Sequence, residues 1–174
     1  MTQIDWIVLI YKVPSEPTKY RASIWREVKR LGGIYLQNGV CVFPDLDDVP
    51  LNVRNLADMV VRYGGSEFLF ISKFVSNYHT TELVRLFQEA RDEEYQPLIA
   101  QCEQLIDQCE QLLKVSVDEE QVELIQAQYF KIRRTATQIQ ARDYFEADRG
   151  GQFSQKLKEL RAVIRKIPRG EIRR

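Results

Sequence analysis

The spacing of apolar residues follows one rule in the first part of the chain and another in the second. Asp5 to Val13 is dense in Ile, Val, Leu and Tyr and stops at Pro14, the composition of a mostly buried strand. Tyr20, Ile24, Val28 and Leu31 then recur at helical spacing until Gly32-Gly33, with Thr18 placed as an N-cap. On this helix Trp25 is expected to pack against the sheet. Ile34 to Gln37 and Val40 to Phe43 are short apolar runs joined by Asn38-Gly39, a pair suited to the two positive φ angles of a type I′ hairpin turn. After Pro44 and an acidic loop, Val53, Leu56, Val60 and Val61 form a second helical stripe ending at Gly64-Gly65, and Ser66 to Val75 returns to strand composition. The order β-α-β-β-α-β within so short a segment predicts a ferredoxin-like domain over residues 1–76.

From about Thr80 the strand pattern is gone. Leu98, Cys102, Leu105, Cys109 and Leu112 form one seam, Val122, Ile125, Tyr129, Ile132, Ala136 and Ile139 a second, and Phe153, Leu157, Leu160, Ile164 and Ile167 a third. Seams of this kind must cover one another, so residues 77–174 are expected to form an all-helical extension, either an antiparallel helical hairpin or a three-helix bundle. Pro97 is expected to separate or kink the helix that precedes the first seam. Further breaks are expected near Val115 to Asp118 and at Gly150-Gly151. The predicted fold class is thus α+β, with a ferredoxin-like βαββαβ domain followed by helices.

Composition adds exclusions. The chain has 174 residues, 44% of them hydrophobic, and its apolar runs are too short for a membrane span or a secretory core, which reads as a cytoplasmic protein without membrane contact. Cys41, Cys102 and Cys109 are too few for a disulfide framework, and all three fall at positions expected to be core. The net charge is zero, yet it is distributed as +1 over residues 1–78, −9 over 79–128 and +8 over 129–174. An acidic block before a basic one predicts either helices that pack together or a basic surface kept for a partner.

Candidate chemistry narrows accordingly. His79 is the only histidine and sits at a helix start, where a solvated or capping role is expected; most hydrolytic triads and His-rich metal sites drop out. No phosphate-cradling glycine loop is present. Asp45, Asp47 and Asp48 form an acidic loop without calcium-loop spacing. No catalytic residue, metal site or cofactor is expected. The informative residues are cations. Arg21, Arg26, Lys29 and Arg30 gather on the first helix, and Arg133, Arg134 and Arg142 begin a long basic stretch that continues to Arg169, Arg173 and Arg174. Guanidinium forks suit phosphate or another tetrahedral oxyanion because they donate two parallel hydrogen bonds.

The run Trp6 to Pro14, then Arg21, Trp25-Arg26 and Lys29 to Gly32, then Tyr35 to Pro44, resembles the N-terminal domain of the chromate-resistance regulator ChrB. Gly64 to Glu67, Phe87 to Tyr95 and Arg142-Asp143-Tyr144-Phe145 are similar to later parts of the same family. The first domain also resembles the ferredoxin-like module of the repressor PaaX, itself similar to CRISPR-associated nucleases. The resemblance implies a bacterial regulatory module with DNA and chromate or another oxyanion as partners; a non-enzymatic homodimer is expected, acting alone or with a ChrB C-terminal-type domain supplied by a separate protein. Where the nuclease relatives carry a metal-binding aspartate, this chain has Tyr11-Lys12-Val13, so cleavage is not expected. Two rivals stand beside this reading: a protein-protein interaction module built on the seams, and a metal-dependent nuclease using Asp5 or the Asp45 to Asp48 loop.

Overall fold

A computed structural model describes residues 4–114 and 118–167, so the break expected near Val115 to Asp118, up to Asp118 itself, and the cations Arg169, Arg173 and Arg174 lie outside the described residues. The chain divides into two compact units, Met1–Phe87 and Gln88–Arg174.

In the first unit the strands β1 (Trp6–Lys12), β2 (Ile34–Gln37), β3 (Val40–Pro44) and β4 (Ser66–Ser72) form one antiparallel sheet in the order β2-β3-β1-β4. Helices α1 (Lys19–Arg30) and α2 (Val49–Arg62) are interleaved with them, which is the predicted ferredoxin-like plan. Residues paired across an antiparallel ladder share a face. Ile7 pairs with Phe43 and Leu9 with Cys41, and these four are buried together beneath the helices. On the opposite face Trp6 stacks on Phe87 and meets the edge of Phe74, while Ile10, Phe68 and Phe70 stay exposed.

Both helices end in the same device. Gly32 (φ 73°) and Gly64 (φ 74°) take the left-handed angle, and the next residues, Gly33 and Gly65, donate back to the Val28 and Val60 carbonyls at 2.9 and 3.0 Å. Gly33 and Gly65 also answer a need for space. A Cβ on Gly33 would sit 2.3 Å from the Phe43 ring, and one on Gly65 would sit 2.4 Å from the Lys12 carbonyl oxygen. The buried side chains of α1 and α2 cover the sheet, and just past each helix end the chain comes close to it through a bare glycine backbone.

Several expectations need correction here. Thr18 stands at the N-cap of α1, but its side chain makes no capping hydrogen bond. Val61 is exposed, and Ala57 takes its place in the buried stripe of α2. The β2-β3 hairpin forms, yet only Gly39 has positive φ, so the turn is not type I′, which requires it at both central residues. The register shifts between Tyr35 and Gln37, and the extra residue on β2 absorbs the twist that a type I′ turn would have supplied.

The second unit holds most of α3 (Asn77–Leu112), with α4 (Glu119–Gln140) and α5 (Asp148–Ile164). The three predicted seams meet in a single core that includes Leu98, Cys102, Leu105, Ile125, Ile132, Phe153 and Leu160. Glu94 reaches Arg142 beyond the end of α4, and Glu103 reaches Lys156 on α5, so α4 runs against α3 while α5 runs along it. This is a three-helix, up-down-up bundle. α3 passes through Pro97 without a break: Pro97 is exposed, and so is Glu93, whose carbonyl loses its partner there and can be hydrated. The break expected at Gly150-Gly151 falls earlier, between Ala141 and Ala147. Gly150 lies in the first turn of α5, where a Cβ would meet Asp143 Oδ2 at 3.2 Å and the Tyr95 ring at 3.3 Å.

Asp118 begins α4 with a capping box, accepting from the Gln121 N–H at 2.8 Å while Gln121 accepts from the Asp118 N–H. α5 is capped differently. Ala147 has no capping side chain, and the Asp92 carboxylate on α3 accepts the Arg149 N–H at 2.8 Å. Among the described residues no helix is long and apolar enough to cross a membrane.

Candidate functional site

The predicted cations separate into two kinds of place. On α1, Ile24 and Val28 are buried, and at 100° per residue Arg21 and Trp25 fall on the flank of that stripe. Arg26 and Arg30 fall on the outer side, and Lys29 lies between. Arg21 and Arg26 are exposed, and Arg26 makes a long contact with Ser23 Oγ at 3.3 Å. Arg30 is already engaged: its Nε donates to Glu27 at 2.8 Å, and this bond is the main reason the Glu27 carboxyl is held below its usual range. The open cationic surface of α1 therefore rests on Arg21, Arg26 and Lys29.

Trp25 does not pack against the sheet as expected. It is 54% exposed and forms the rim of a cavity of about 660 Å³, lined also by Tyr11, Val13, Arg21, Tyr35, Asn38 and Gly39. A second cavity of about 750 Å³, lined in part by Lys12, Pro14, Glu16 and Gly65, shares Val13 and Arg21 with the first. The hairpin turn closes on β1 at this cavity. Tyr11 N–H donates to the Gly39 carbonyl at 2.7 Å, and a Cβ on Gly39 would lie 2.5 Å from the Tyr11 carbonyl oxygen, so only glycine allows this approach. At the back, the Tyr11 and Tyr35 hydroxyls are 2.8 Å apart. Burial raises both above the ordinary phenol value, so the pair keeps both protons at neutral pH. Only one of those protons is used between them, leaving the other to donate outward.

Arg133 and Arg134 are exposed on α4, and Arg133 lies over the Tyr129 ring at 5.8 Å. Arg142 is in a different situation. Its Nη2 bonds Glu94 Oε2 at 2.9 Å and its Nη1 bonds the Gln138 carbonyl at 2.6 Å. Glu94 also takes Arg91 at 3.1 Å, and the Arg91 side chain is only 3% exposed. Two guanidiniums thus share one carboxylate inside the bundle. Burial lowers the Arg91 value from the usual guanidinium range, and Glu94 works against that shift. Next to them, Tyr95 donates to Asp143 at 3.2 Å, and Asp143 accepts the Ala147 N–H at 3.0 Å. The Arg142-Asp143-Tyr144-Phe145 motif is the turn tying α4 to α5, held to α3 by Glu94, Tyr95 and Gln88.

Reading the sequence missed Tyr11, Tyr35, Asn38, Gly39 and Arg91 as site or network residues. Arg91 had a signal: Phe87, Arg91, Tyr95 and Leu98 continue the seam spacing, which places an arginine at a core position. Tyr11 and Tyr35 had none, because β1 and β2 are brought within reach only through β3. His79 is exposed at the start of α3, beside the rings of Phe74 and Tyr78. The three cysteines are buried, with Cys41 pushed up to about 12 and Cys102 to about 11 by burial. Among the described residues no group of three or more His, Cys, Asp or Glu is placed to hold a metal ion.

The family model described as Protein ChrB, N-terminal, matches residues 21–167. No curated protein and no solved structure matches the chain.

Proposed function

The chain belongs to the ChrB N-terminal family, and from that premise we propose that it is a non-enzymatic module of an oxyanion-responsive transcriptional regulator, contacting DNA phosphates through α1. The observation that carries this reading is the cationic surface of exposed Arg21 and Arg26 and half-buried Lys29 on a helix whose one acidic residue, Glu27, is occupied by Arg30. Phosphate contacts from such a row position a protein on a duplex, and each releases counterions on binding. Arg133 and Arg134 on α4 are the second candidate group. Arg142 is better read as a structural residue, since both ends of its guanidinium are bonded within the bundle.

The test is binding of the purified chain to the duplex upstream of its own gene and to a scrambled duplex, over a salt series, with and without chromate. Specific binding that chromate weakens is the expected result. Arg26→Ala with Lys29→Ala should lower affinity about tenfold and flatten the log-log salt slope by about two. Weak and equal binding to both duplexes, or none, would overturn the reading. A second reading, a protein-interaction module, is favoured by one observation: Phe68, Phe70 and Ile71 are exposed on β4, an edge strand of the sheet. It predicts association insensitive to salt and to the α1 substitutions.

A further inference from the structure

We propose that the cavity beneath Trp25 is a site for a single nucleotide unit, a planar base carrying a phosphate. This goes beyond the duplex reading and does not depend on it. Trp25 is more than half exposed at the rim, which leaves its indole available as a stacking surface. The other lining groups are polar where a base needs polarity. Asn38 offers an amide that both donates and accepts, and the Tyr11-Tyr35 pair has one hydroxyl proton left over to donate. Arg21 borders this cavity and the neighbouring one, so a phosphate held by its guanidinium would lie beside the base site rather than inside it. Room is sufficient, since the cavity of about 660 Å³ is within the range of small-molecule sites.

Two sources share this chemistry: a free mononucleotide, and an unpaired nucleotide within a DNA strand. The chain reports on the site directly, because it has two tryptophans and Trp6 is 1% exposed, so quenching by a ligand in solution reads Trp25. The experiment titrates the full chain with dAMP, with 2-deoxyribose 5-phosphate, with a short single-stranded oligonucleotide and with a blunt duplex. Saturable quenching by dAMP or by the single strand is expected, with the base-free sugar phosphate binding at least about tenfold more weakly. Comparable occupancy by dAMP and the oligonucleotide assigns a free nucleotide; clear preference for the oligonucleotide assigns an unpaired base in a strand. Trp25→Ala and Arg21→Ala, followed by calorimetry, should each weaken binding about tenfold or more. Both side chains are exposed; should either variant melt early, Asn38→Ala, on the same rim, serves in its place and should weaken binding several-fold. Absence of saturable binding by dAMP and single strand, or equal binding by the sugar phosphate, overturns the proposal. A chain that holds duplex through Arg26 and Lys29 but ignores both nucleotide probes leaves the duplex reading intact and removes this one.

Discussion

Arginine serves opposite ends in the two units. On α1 of the first unit, Arg21 and Arg26 are exposed, and Arg21 lines a cavity beside the Tyr11-Tyr35 pair. In the second unit, Arg91 and Arg142 are drawn into the bundle, share Glu94, and hold the turn that joins α4 to α5. The same side chain is cheap to substitute in the first setting and expensive in the second, because a charge in water needs no partner and a buried one does. Cationic residues of this chain therefore cannot be sorted into binding and structural groups by charge alone; burial decides.

The largest expected effect tests the buried side of this contrast. Glu94→Gln removes the carboxylate shared by Arg91 and Arg142 and should cost about 3 kcal/mol in urea unfolding, whereas Arg26→Ala should stay within about 0.5 kcal/mol. Equal, small effects from both would dissolve the distinction. Next in size is Gly33→Ala, where the new Cβ would meet the Phe43 ring at 2.3 Å; a loss of about 2 kcal/mol is expected, and it would show that the first unit depends on backbone closeness rather than ion pairs. Tyr95→Phe deletes the hydroxyl that reaches Asp143 and should cost about 1 kcal/mol, sharpening how far the bundle relies on this polar turn.

A further expected effect is a pH dependence. The thiols of Cys41 and Cys102 stand at about 12 and about 11 in the folded chain, against an ordinary value of 9.0. Raised folded values mean that their contribution to stability is complete below about pH 9 and is lost as pH rises toward those folded values, since the unfolded chain ionises first. Unfolding midpoints should accordingly fall between pH 9 and pH 11, and a Cys41→Ala chain should show less of that decline.

Much of the architecture was legible from local chemistry. Helix stripes such as Tyr20, Ile24, Val28 and Leu31, the paired glycines that stop α1 and α2, and the three seams of the bundle are short-range patterns, and each appears where the spacing placed it. The failures were also physical. Pro97 did not split α3 into two helices, because at an exposed position the freed carbonyl can be hydrated and tertiary packing on either side holds the helix. Gly150 was read as a breaker when it is a point of close approach to Tyr95.

The site was less legible than the fold. By itself the sequence determined the order of elements, their buried faces, the family to which the chain belongs, and the row of cations on α1, all of which follow from residue types a few positions apart. Only the tertiary structure decided that Trp25 rims a cavity instead of filling the core, that Tyr11 and Tyr35 meet, and that Arg142 is bonded inside while Arg133 and Arg134 stay exposed. Those outcomes depend on which strands become neighbours and which helix faces meet, and such contacts join residues far apart in the chain, where no local period carries the information.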